Sequence, residues 1–474
     1  MKKVMIQRGV LNDLKPFIHE HNQTHKPKLK LDVAVFFIGL INEIKSHYRD
    51  DGKENEFTPL DSQILKEYHS NYNKYFDFLV EYNVLERLNY STDIGRSNGY
   101  KFTDIYVKDD LQSYKIKYDK LKEKFNEKGL DKHQQKKLAF SIEKRPHLMR
   151  IFNDDLTIDV KSAYDEIKHL RDTEPRKYNN AMVLINEFKN KTWKASIKPY
   201  KSDNRLHTNL TRSPKVLRKH ILISDNHIVG CDIKTSQPYF FCVILKAILS
   251  NDKELLEQIN ATKILNGNTI DQLFDLDIDR LEVIDFVNSI VGDNIDFYHH
   301  FETKLNILID EDEQPYRMVS NFNSKNIGKS RSKRKDDVEP QTKKVFKTNR
   351  DLVKEVVMEI FYSSPMSKIP EAVIFRNTYP SIHKIIKCLY DNGVKFSELL
   401  TFIEAYILLD VVAKEISIKH PNMPLGSIHD SLVTTFEYED LLKEEMINLI
   451  EEATTLKVKV DFEHWGQHHL SSVY

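Results

Sequence analysis

The sequence predicts an α+β fold in which a small apolar sheet supports a largely helical body. Residues 221–233 contain two short apolar runs separated by Ser-Asp-Asn, which predicts two strands joined by a turn, with Asp232 near their end. Residues 425–436 place His429 and Asp430 between apolar and β-branched runs, which predicts a hairpin with Asp430 at its turn. The chain between these two regions is mostly helical in pattern. The predicted strands of the two regions are therefore neighbours only if both belong to the same sheet.

Length and charge restrict the class of protein only loosely. The 474 residues are enough for a large core and for roughly two to four domains. Lysine and arginine together number 71, as do aspartate and glutamate, so the formal net charge is zero. This balance argues against a uniformly basic nucleic-acid binder, although it is compatible with a basic cleft in a balanced surface.

The cysteines and the N-terminus predict a cytoplasmic protein with no membrane partner. Cys231, Cys242 and Cys388 lack the spacing of metal ligands, which favours reduced, buried thiols. Lys2-Lys3 is not followed by the apolar core of a signal peptide, and the apolar run at residues 33–41 is too short to span a bilayer. The oligomeric state is left open.

Residues 1–112 are predicted to form a mostly helical N-terminal region that contains a winged-helix-like module. Helical patterns precede two strand-like runs separated by a loop rich in Ser, Gly and Asn, at residues 31–44, 58–61, 71–81, 83–88 and 100–102. Helices followed by a small hairpin are typical of a winged helix. Such a module either lays a helix and a charged wing against duplex DNA or serves as a protein-interaction scaffold, and both alternatives stay open.

Residues 113–200 are predicted to form a helical thumb-like arm or linker. Dense charge over residues 115–144, with Leu and Phe at helical spacing, predicts a pair of solvated helices. Further along, residues 397–418 predict a long apolar helix that carries Glu404, which is either buried and paired or exposed. A helix at 438–454 and a final strand at 456–460 complete the chain.

Asp232 and Asp430 are the candidate metal ligands. A carboxylate at the end of a buried strand is costly unless a metal ion or another cation pairs with it. For Asp232 alone the alternative is helix capping, because Pro238 is placed to open a helix over residues 239–249. For Asp430 alone, the two-residue His-Asp match is a weak signal. Together on neighbouring strands, the two aspartates would hold two divalent cations, one for an attacking oxygen and one for a leaving phosphate.

A third candidate is the amphipathic helix predicted over residues 349–363. Arg350, Lys354, Phe361 and Tyr362 are spaced so that they share one face of this helix. Two cations and an aromatic ring suit a nucleoside triphosphate, since the cations meet the phosphates and the ring meets the base and sugar. The alternative is an ordinary surface helix with snorkelling basic side chains.

Taken together and in this order, the three stretches resemble motifs A, B and C of the family A DNA polymerases and the single-subunit phage-type RNA polymerases. The matching residues are Asp232, Ser236 and Gln237 for motif A, Arg350-x3-Lys354-x7-Tyr362-Ser363 for motif B, and Ile428-His429-Asp430-Ser431 for motif C. Arg205-Leu206 and Arg218 resemble the segment that precedes motif A. The acidic residue that follows Gln in many DNA polymerases is absent, as is the Gly after the motif B Tyr, so sugar selection is left open.

The resemblance implies a right-hand polymerase with a mixed or antiparallel palm sheet and helical fingers. Palm and fingers would occupy residues 201–474, with fingers at about 251–400 and a basic loop at 323–347. This basic loop either contacts phosphates or is a solvated insertion. The implied activity is nucleotidyl transfer from NTPs or dNTPs to a 3′-hydroxyl, and the implied partners are DNA or RNA.

The resemblance also implies a role for each site residue. Asp232 and Asp430, with the Ile233 carbonyl, would hold two Mg²⁺ or Mn²⁺ ions, and Lys354 would act as a further catalytic residue. The nucleotide-binding residues would be Arg350, Lys354, Tyr362 and Gln237, and the nucleic-acid-binding residues would be Arg205, Arg218, His429, Lys333, Arg334 and Lys335.

Two other functions remain open. One is a replication initiator or nucleic-acid-binding protein with a degenerate polymerase fold. The other is a metal-dependent nuclease that uses the same two aspartates, in which the helix with Arg350 and Lys354 has no clear role.

Overall fold

The structure is a computed structural model. It describes residues 2–46, 57–91, 97–198, 204–293, 296–304, 315–320 and 341–466. None of the helices in these ranges is both long enough and apolar enough to cross a bilayer.

The N-terminal region combines helices with two small sheets. Its elements are β1 (Lys3–Gln7), α1 (Arg8–Thr24), α2 (Leu31–Lys45), β2 (Thr58–Pro59), α3 (Ser62–Tyr68), α4 (Tyr72–Glu81), β3 (Leu85–Leu88), β4 (Gly99–Phe102), α5 (Asp104–Val107) and β5 (Leu111–Lys115). β1 pairs with β5, and β4 lies between β2 and β3. The predicted helices and hairpin are therefore present, whereas the winged-helix assignment and the domain boundaries stay predictions.

The middle region is built around one long buried helix, α11. Its elements are α6 (Asp119–Lys122), α7 (Lys132–Lys144), α8 (Pro146–Met149), β6 (Leu156–Ile158), α9 (Val160–Ile167), α10 (Leu170–Thr173), α11 (Pro175–Lys189), β7 (Ala195–Ile197), β8 (Leu206–Thr208) and α12 (Lys215–Arg218).

The predicted pair of helices over residues 115–144 is wrong, because only α7 in this stretch is longer than one turn. Gly129 adopts a φ of 79° and turns the chain. Asp131 then begins α7 with a capping box, in which its side chain accepts from the Gln134 main chain while the Gln134 side chain bonds back to Asp131. Local turn and capping chemistry therefore outweighs the helical spacing of the residues before Gly129.

The remaining chain forms the central sheet and the helical body. Its elements are β9 (Ile221–Ile223), β10 (Asn226–Ile233), α13 (Ser236–Ser250), α14 (Lys253–Gln258), α15 (Gly267–Phe274), α16 (Arg280–Val291), α17 (Phe297–Lys304), β11 (Tyr316–Ser320), β12 (Gln341–Val345), α18 (Asn349–Tyr362), α19 (Pro370–Thr378), α20 (Pro380–Asp391), α21 (Phe396–Ala405), α22 (Ala413–Lys419), β13 (Gly426–Ile428), β14 (Ser431–Thr435), α23 (Glu439–Thr454) and β15 (Val460–His464). A π-helical segment, Tyr406–Val412, joins α21 to α22.

The central sheet has six strands in the order β13-β14-β10-β9-β6, with β15 also paired to β10. Every pairing in it is antiparallel, and β10 has β14 along one side and β15 along the other. The predicted turn before β10 and the predicted hairpin of β13 and β14 are confirmed. Helix α13 is apolar on nearly all sides and is buried against α16 and α21, and both Cys231 on β10 and Cys242 on α13 are buried.

Two predicted segments differ from the structure. The last strand begins at Val460 rather than at residue 456, because Thr455 ends α23 with a φ of 55° and the following residues turn the chain back to the sheet. The end of the predicted basic loop is the strand β12, which pairs with β11. Lys333, Arg334 and Lys335 lie outside the described residues.

Candidate active site

The central sheet brings Asp232 and Asp430 close together although they are far apart in sequence. Asp232 lies near the end of β10 and faces Ser431 across the pairing of β10 with β14. Asp430 directly precedes Ser431 in the turn between β13 and β14. His429, the other residue of this turn, has a φ of 54°. The antiparallel register therefore places one carboxylate near the end of β10 and the other in the turn that leads into the neighbouring strand β14.

The two carboxylates are both hard to ionise in this position. Burial raises the pKa of Asp232, a hydrogen bond with Ser431 opposes the rise, and the negative charge of Asp430 adds to it. Burial also raises the pKa of Asp430, to about 6, and the negative charge of Glu404 adds to that shift. No lysine or arginine in the part of the chain that the structure describes forms an ion pair with either carboxylate.

Glu404 is buried and paired, which settles the alternative that the sequence left open. It is only 1% exposed. Its Oε1 accepts hydrogen bonds from the Arg205 guanidinium, at 3.0 Å from Nε and also from Nη2. Its Oε2 accepts from Ser236 Oγ and from Gln237 Nε2, each at 2.6 Å. Glu404 thus ties α21 to the start of α13, a few residues after Asp232.

The two predicted nucleic-acid-binding arginines before β10 each contact a glutamate. Arg205 pairs with Glu404. Arg218 pairs with Glu463 at 2.8 Å and lies over the Trp465 ring, 5.4 Å from its centroid. These contacts hold both guanidinium groups against the protein, and contact of either with nucleic acid stays a prediction.

The two predicted cations of helix α18 have different neighbours. The positive charges of Arg205 and Lys354 act against the rise in the Asp430 pKa, after the larger effects of burial and Glu404. Arg350 lies over the Tyr298 ring, 4.9 Å from its centroid, and pairs with Asp296 at 3.5 Å. Lys354 and Arg350 are both exposed.

The aromatic residues at the end of α18 face in different directions. Tyr362 is 45% exposed, yet desolvation of its hydroxyl raises its pKa to about 12; the negative charges of Glu404 and Asp430 add to this rise, and the positive charge of Arg205 opposes it. Phe361, predicted to share this face, is only 1% exposed and its ring contacts Phe241 edge-on at 5.9 Å. The prediction that both rings share one face is therefore wrong, because consecutive residues of a helix point about 100° apart.

Several residues near the site were not identified from the sequence. Asp461 and Glu463 alternate on β15, and Asp461 lies directly opposite Asp232. Their spacing of two residues would have placed them on one face of the last strand, if the predicted strand had continued past Val460. Each is paired with a cation, Asp461 with Lys234 at 2.8 Å and Glu463 with Arg218. Asp296 and Tyr298 carried no signal, because their role depends on contact with a distant helix.

The residues at the end of β10 fit divalent cations to a limited extent. In the described ranges, no group of three or more His, Cys, Asp or Glu side chains is arranged to hold a metal ion. Asp232 and Asp430 nevertheless provide oxygen ligands whose ionised forms burial disfavours, and a divalent cation would offset this cost. Ile233, the last residue of β10, pairs with Val460, and its carbonyl stays a predicted ligand.

Comparison with known proteins gives little further information. No protein-family model matches the chain, and no curated protein matches it in sequence. Among solved structures, the chain is similar to the POL domain of Pol1 from M. smegmatis in complex with DNA primer-template and dNTP. The TM-score is 0.35 at 10% identity, over 65% of this chain and 55% of that one, so the chain spans about half of that protein's length. At this level, the likeness carries no argument about function.

Proposed function

We propose that the chain is a nucleic-acid polymerase that adds nucleoside monophosphates from NTPs or dNTPs to a 3′-hydroxyl. The observation that carries this proposal is the proximity of Asp232, near the end of β10, to Asp430, in the turn that leads into the neighbouring strand β14. Support comes from the electrostatic interaction of Asp430 with Lys354, which lies on the exposed cationic face of α18. Two neighbouring carboxylates suit two divalent cations, and a lysine near one of them suits the triphosphate of an incoming nucleotide.

Each side chain has a defined part in this proposal. Asp232 and Asp430, with the Ile233 carbonyl, would hold Mg²⁺ or Mn²⁺. When bound, such ions lower the pKa of the attacking hydroxyl and stabilise charge on the leaving group. Lys354 and Arg350 neutralise the triphosphate, and Lys354 donates a proton to the departing pyrophosphate.

The remaining predicted residues surround the reacting groups. Tyr362 contacts the base or sugar, and His429 lies beside the 3′ end of the growing strand. Gln237 would contribute to nucleotide binding through its Oε1 atom. This atom is buried and accepts no hydrogen bond from the described residues. Arg205 acts chiefly through Glu404, since its guanidinium is bound to that carboxylate.

The N-terminal order β2, α3, α4, β3, β4 is that expected of a winged helix, and we include such a module in the proposal. We also retain a helical arm or linker at residues 113–200 and palm and fingers at residues 201–474, with the strand β6 (Leu156–Ile158) added to the palm because it pairs with β9.

The test is incorporation of labelled NTPs or dNTPs, supplied separately, with and without template and primer. Asp232→Asn and Asp430→Asn should each lower the rate by about 10²-fold or more, since each removes an anionic oxygen from the metal site. Asp225→Asn is the matched control, because Asp225 lies in the exposed turn before β10 and its φ of 63° suits Asn. Wild-type activity that survives both site substitutions would contradict the assignment.

The same experiment separates the alternatives. A wild-type protein that binds DNA but incorporates no nucleotide would support a non-catalytic nucleic-acid-binding role. Shortening of labelled DNA with Mg²⁺ alone, lost in Asp232→Asn, would support a nuclease.

A further inference from the structure

A group of exposed lysines lies on the N-terminal region, outside the site described above. We call it the lysine surface, and its members are Lys26, Lys28, Lys30, Lys74 and Lys117. Three of them follow the end of α1, one lies in the first turn of α4, and one follows β5. The side chains of all five are exposed.

Direct contacts join these separate segments into one surface. Lys74 Nζ donates to the Lys26 carbonyl at 3.3 Å, which brings α4 against the segment after α1. The Lys30 ammonium lies over the Tyr118 ring, 4.6 Å from its centroid, next to Lys117. Lysines that are far apart in sequence therefore present their charges together.

The segment that carries three of the lysines is held in shape. Asn22 Nδ2 donates to the Leu29 carbonyl at 3.0 Å, and the Leu29 main-chain nitrogen donates to Asn22 Oδ1 at 2.7 Å. The Lys30 main-chain nitrogen donates to the Tyr75 hydroxyl at 3.1 Å. Leu29 itself is buried. A ligand would thus meet lysines on a fixed backbone, which lowers the entropic cost of binding.

These charges are not neutralised within the protein. None of the five lysines forms an ion pair with a carboxylate of the residues that the structure describes. Asp32 lies beside them, and its carboxylate accepts hydrogen bonds from the Tyr114 hydroxyl and from the main-chain nitrogens of Lys117 and Tyr118. These donors are neutral and leave its negative charge in place, so one carboxylate stands beside five lysines. In a chain with zero net charge, this leaves a local excess of positive charge.

The hairpin of β3 and β4 shows the opposite arrangement. Arg87 pairs with Asp77 at 2.6 Å, and Lys101 pairs with Glu86 at 2.9 Å. The described cations of the predicted wing are thus neutralised within the module. If this region contacts a polyanion, the lysine surface is better suited to it than the hairpin.

We propose that the lysine surface binds the phosphate backbone of duplex nucleic acid. The choice of nucleic acid as the partner rests on the proposed polymerase function. Lysines supply compact positive charges that suit phosphates without reading sequence. Single-stranded ligands also need open aromatic rings for base stacking. The two tyrosines that contact Lys30 do not provide this, because Tyr75 is only 2% exposed and Tyr118 lies beneath the Lys30 ammonium.

The test compares two triple variants of the full-length protein by fluorescence anisotropy with a labelled duplex over a range of salt concentrations. The first variant is Lys26→Ala/Lys28→Ala/Lys74→Ala, which leaves Lys30 and its contacts intact. The control variant replaces Lys168, Lys387 and Lys419 with Ala, which changes the net charge equally but removes lysines that pair with Asp165, Asp391 and Glu445.

The first variant should raise Kd about tenfold or more and lower the slope of log Kd against log salt by about 0.9 for each lost phosphate contact, while the control stays near wild type. Arginine at the same three positions should preserve binding, which excludes misfolding as the cause. An unchanged Kd and slope, or an equal loss in the control, would overturn the proposal.

Two further measurements separate duplex binding from membrane binding and from catalysis. Binding to phosphatidylserine vesicles that is lost in the first variant, with duplex binding unchanged, would identify a membrane surface instead and overturn the proposal. At saturating duplex the first variant should incorporate nucleotides at the wild-type rate, whereas Asp232→Asn should lose incorporation and keep the wild-type Kd and salt slope. The binding measurements therefore test the lysine surface, and the incorporation measurements test the proposed polymerase activity separately.

Discussion

Replacing Glu404 with Gln should destabilise the body of the protein that contains α21. Glu404 is 1% exposed and accepts hydrogen bonds from Arg205, Ser236 and Gln237. Glutamine keeps the shape but replaces one accepting oxygen with an amide that donates. Breaking a buried ion pair costs about 3–5 kcal/mol, and Arg205 is 18% exposed, which favours the lower end. One lost acceptor adds about 1 kcal/mol, so we expect a total loss of about 3–4 kcal/mol.

The assay is urea unfolding followed by circular dichroism, with Glu398→Gln as the matched control. Glu398 lies on the same helix, is 35% exposed and pairs with Lys395 at 2.7 Å. An exposed pair of this kind contributes at most about 1 kcal/mol, so the control should unfold close to wild type. A loss for Glu404→Gln no larger than that of the control would refute the role assigned to the Glu404 contacts.

Three other predictions concern charge. Because the Asp430 pKa of about 6 lies above the unfolded value of about 3.9, the stability of the protein without added divalent cations should fall as pH rises between these values. Asp430→Asn should abolish this trend in urea unfolding measured against pH. Lys354→Ala should lower kcat/KM for the nucleotide by about 10–100-fold in steady-state assays, since a charge-assisted contact contributes about 1.5–3 kcal/mol. Asp410→Ala should cost about 3 kcal/mol of unfolding free energy, the lower end for a broken buried ion pair, because Arg145 is 2% exposed and bonds to Asp410 at 2.6 and 2.7 Å while Asp410 itself is 29% exposed. Arg145→Met in the same chain should recover part of this loss.

The local elements of the central sheet could be predicted from the sequence. Apolar runs and turn residues identified β9, β10 and the hairpin around Asp430, because these patterns depend on residues near one another in the chain. Apolar periodicity likewise identified α18 and α4. The pairing of β10 with β14 required the family resemblance, since nothing within either strand specifies its neighbour.

The contacts around Glu404 could not be predicted in this way. Its partners Arg205 and Ser236 lie far away in sequence, and a single acid in an apolar helix carries no signal for which cation it meets. The error over residues 115–144 has a different cause, because charge and helical spacing were given more weight than Gly129. Lysines can be counted in the sequence. Whether they are exposed and lack carboxylate partners depends on the folded surface.

The two aspartates of the candidate site are attached to the backbone in unequal ways. Asp232 belongs to an interior strand that is hydrogen-bonded along both sides, so its main chain is anchored. Asp430 belongs to a two-residue reversal beside His429, at the tip of a short hairpin. Interior strands open less readily than hairpin tips. Any change in the distance between the two carboxylates therefore comes mainly from movement of the turn that carries Asp430, while Asp232 stays in place.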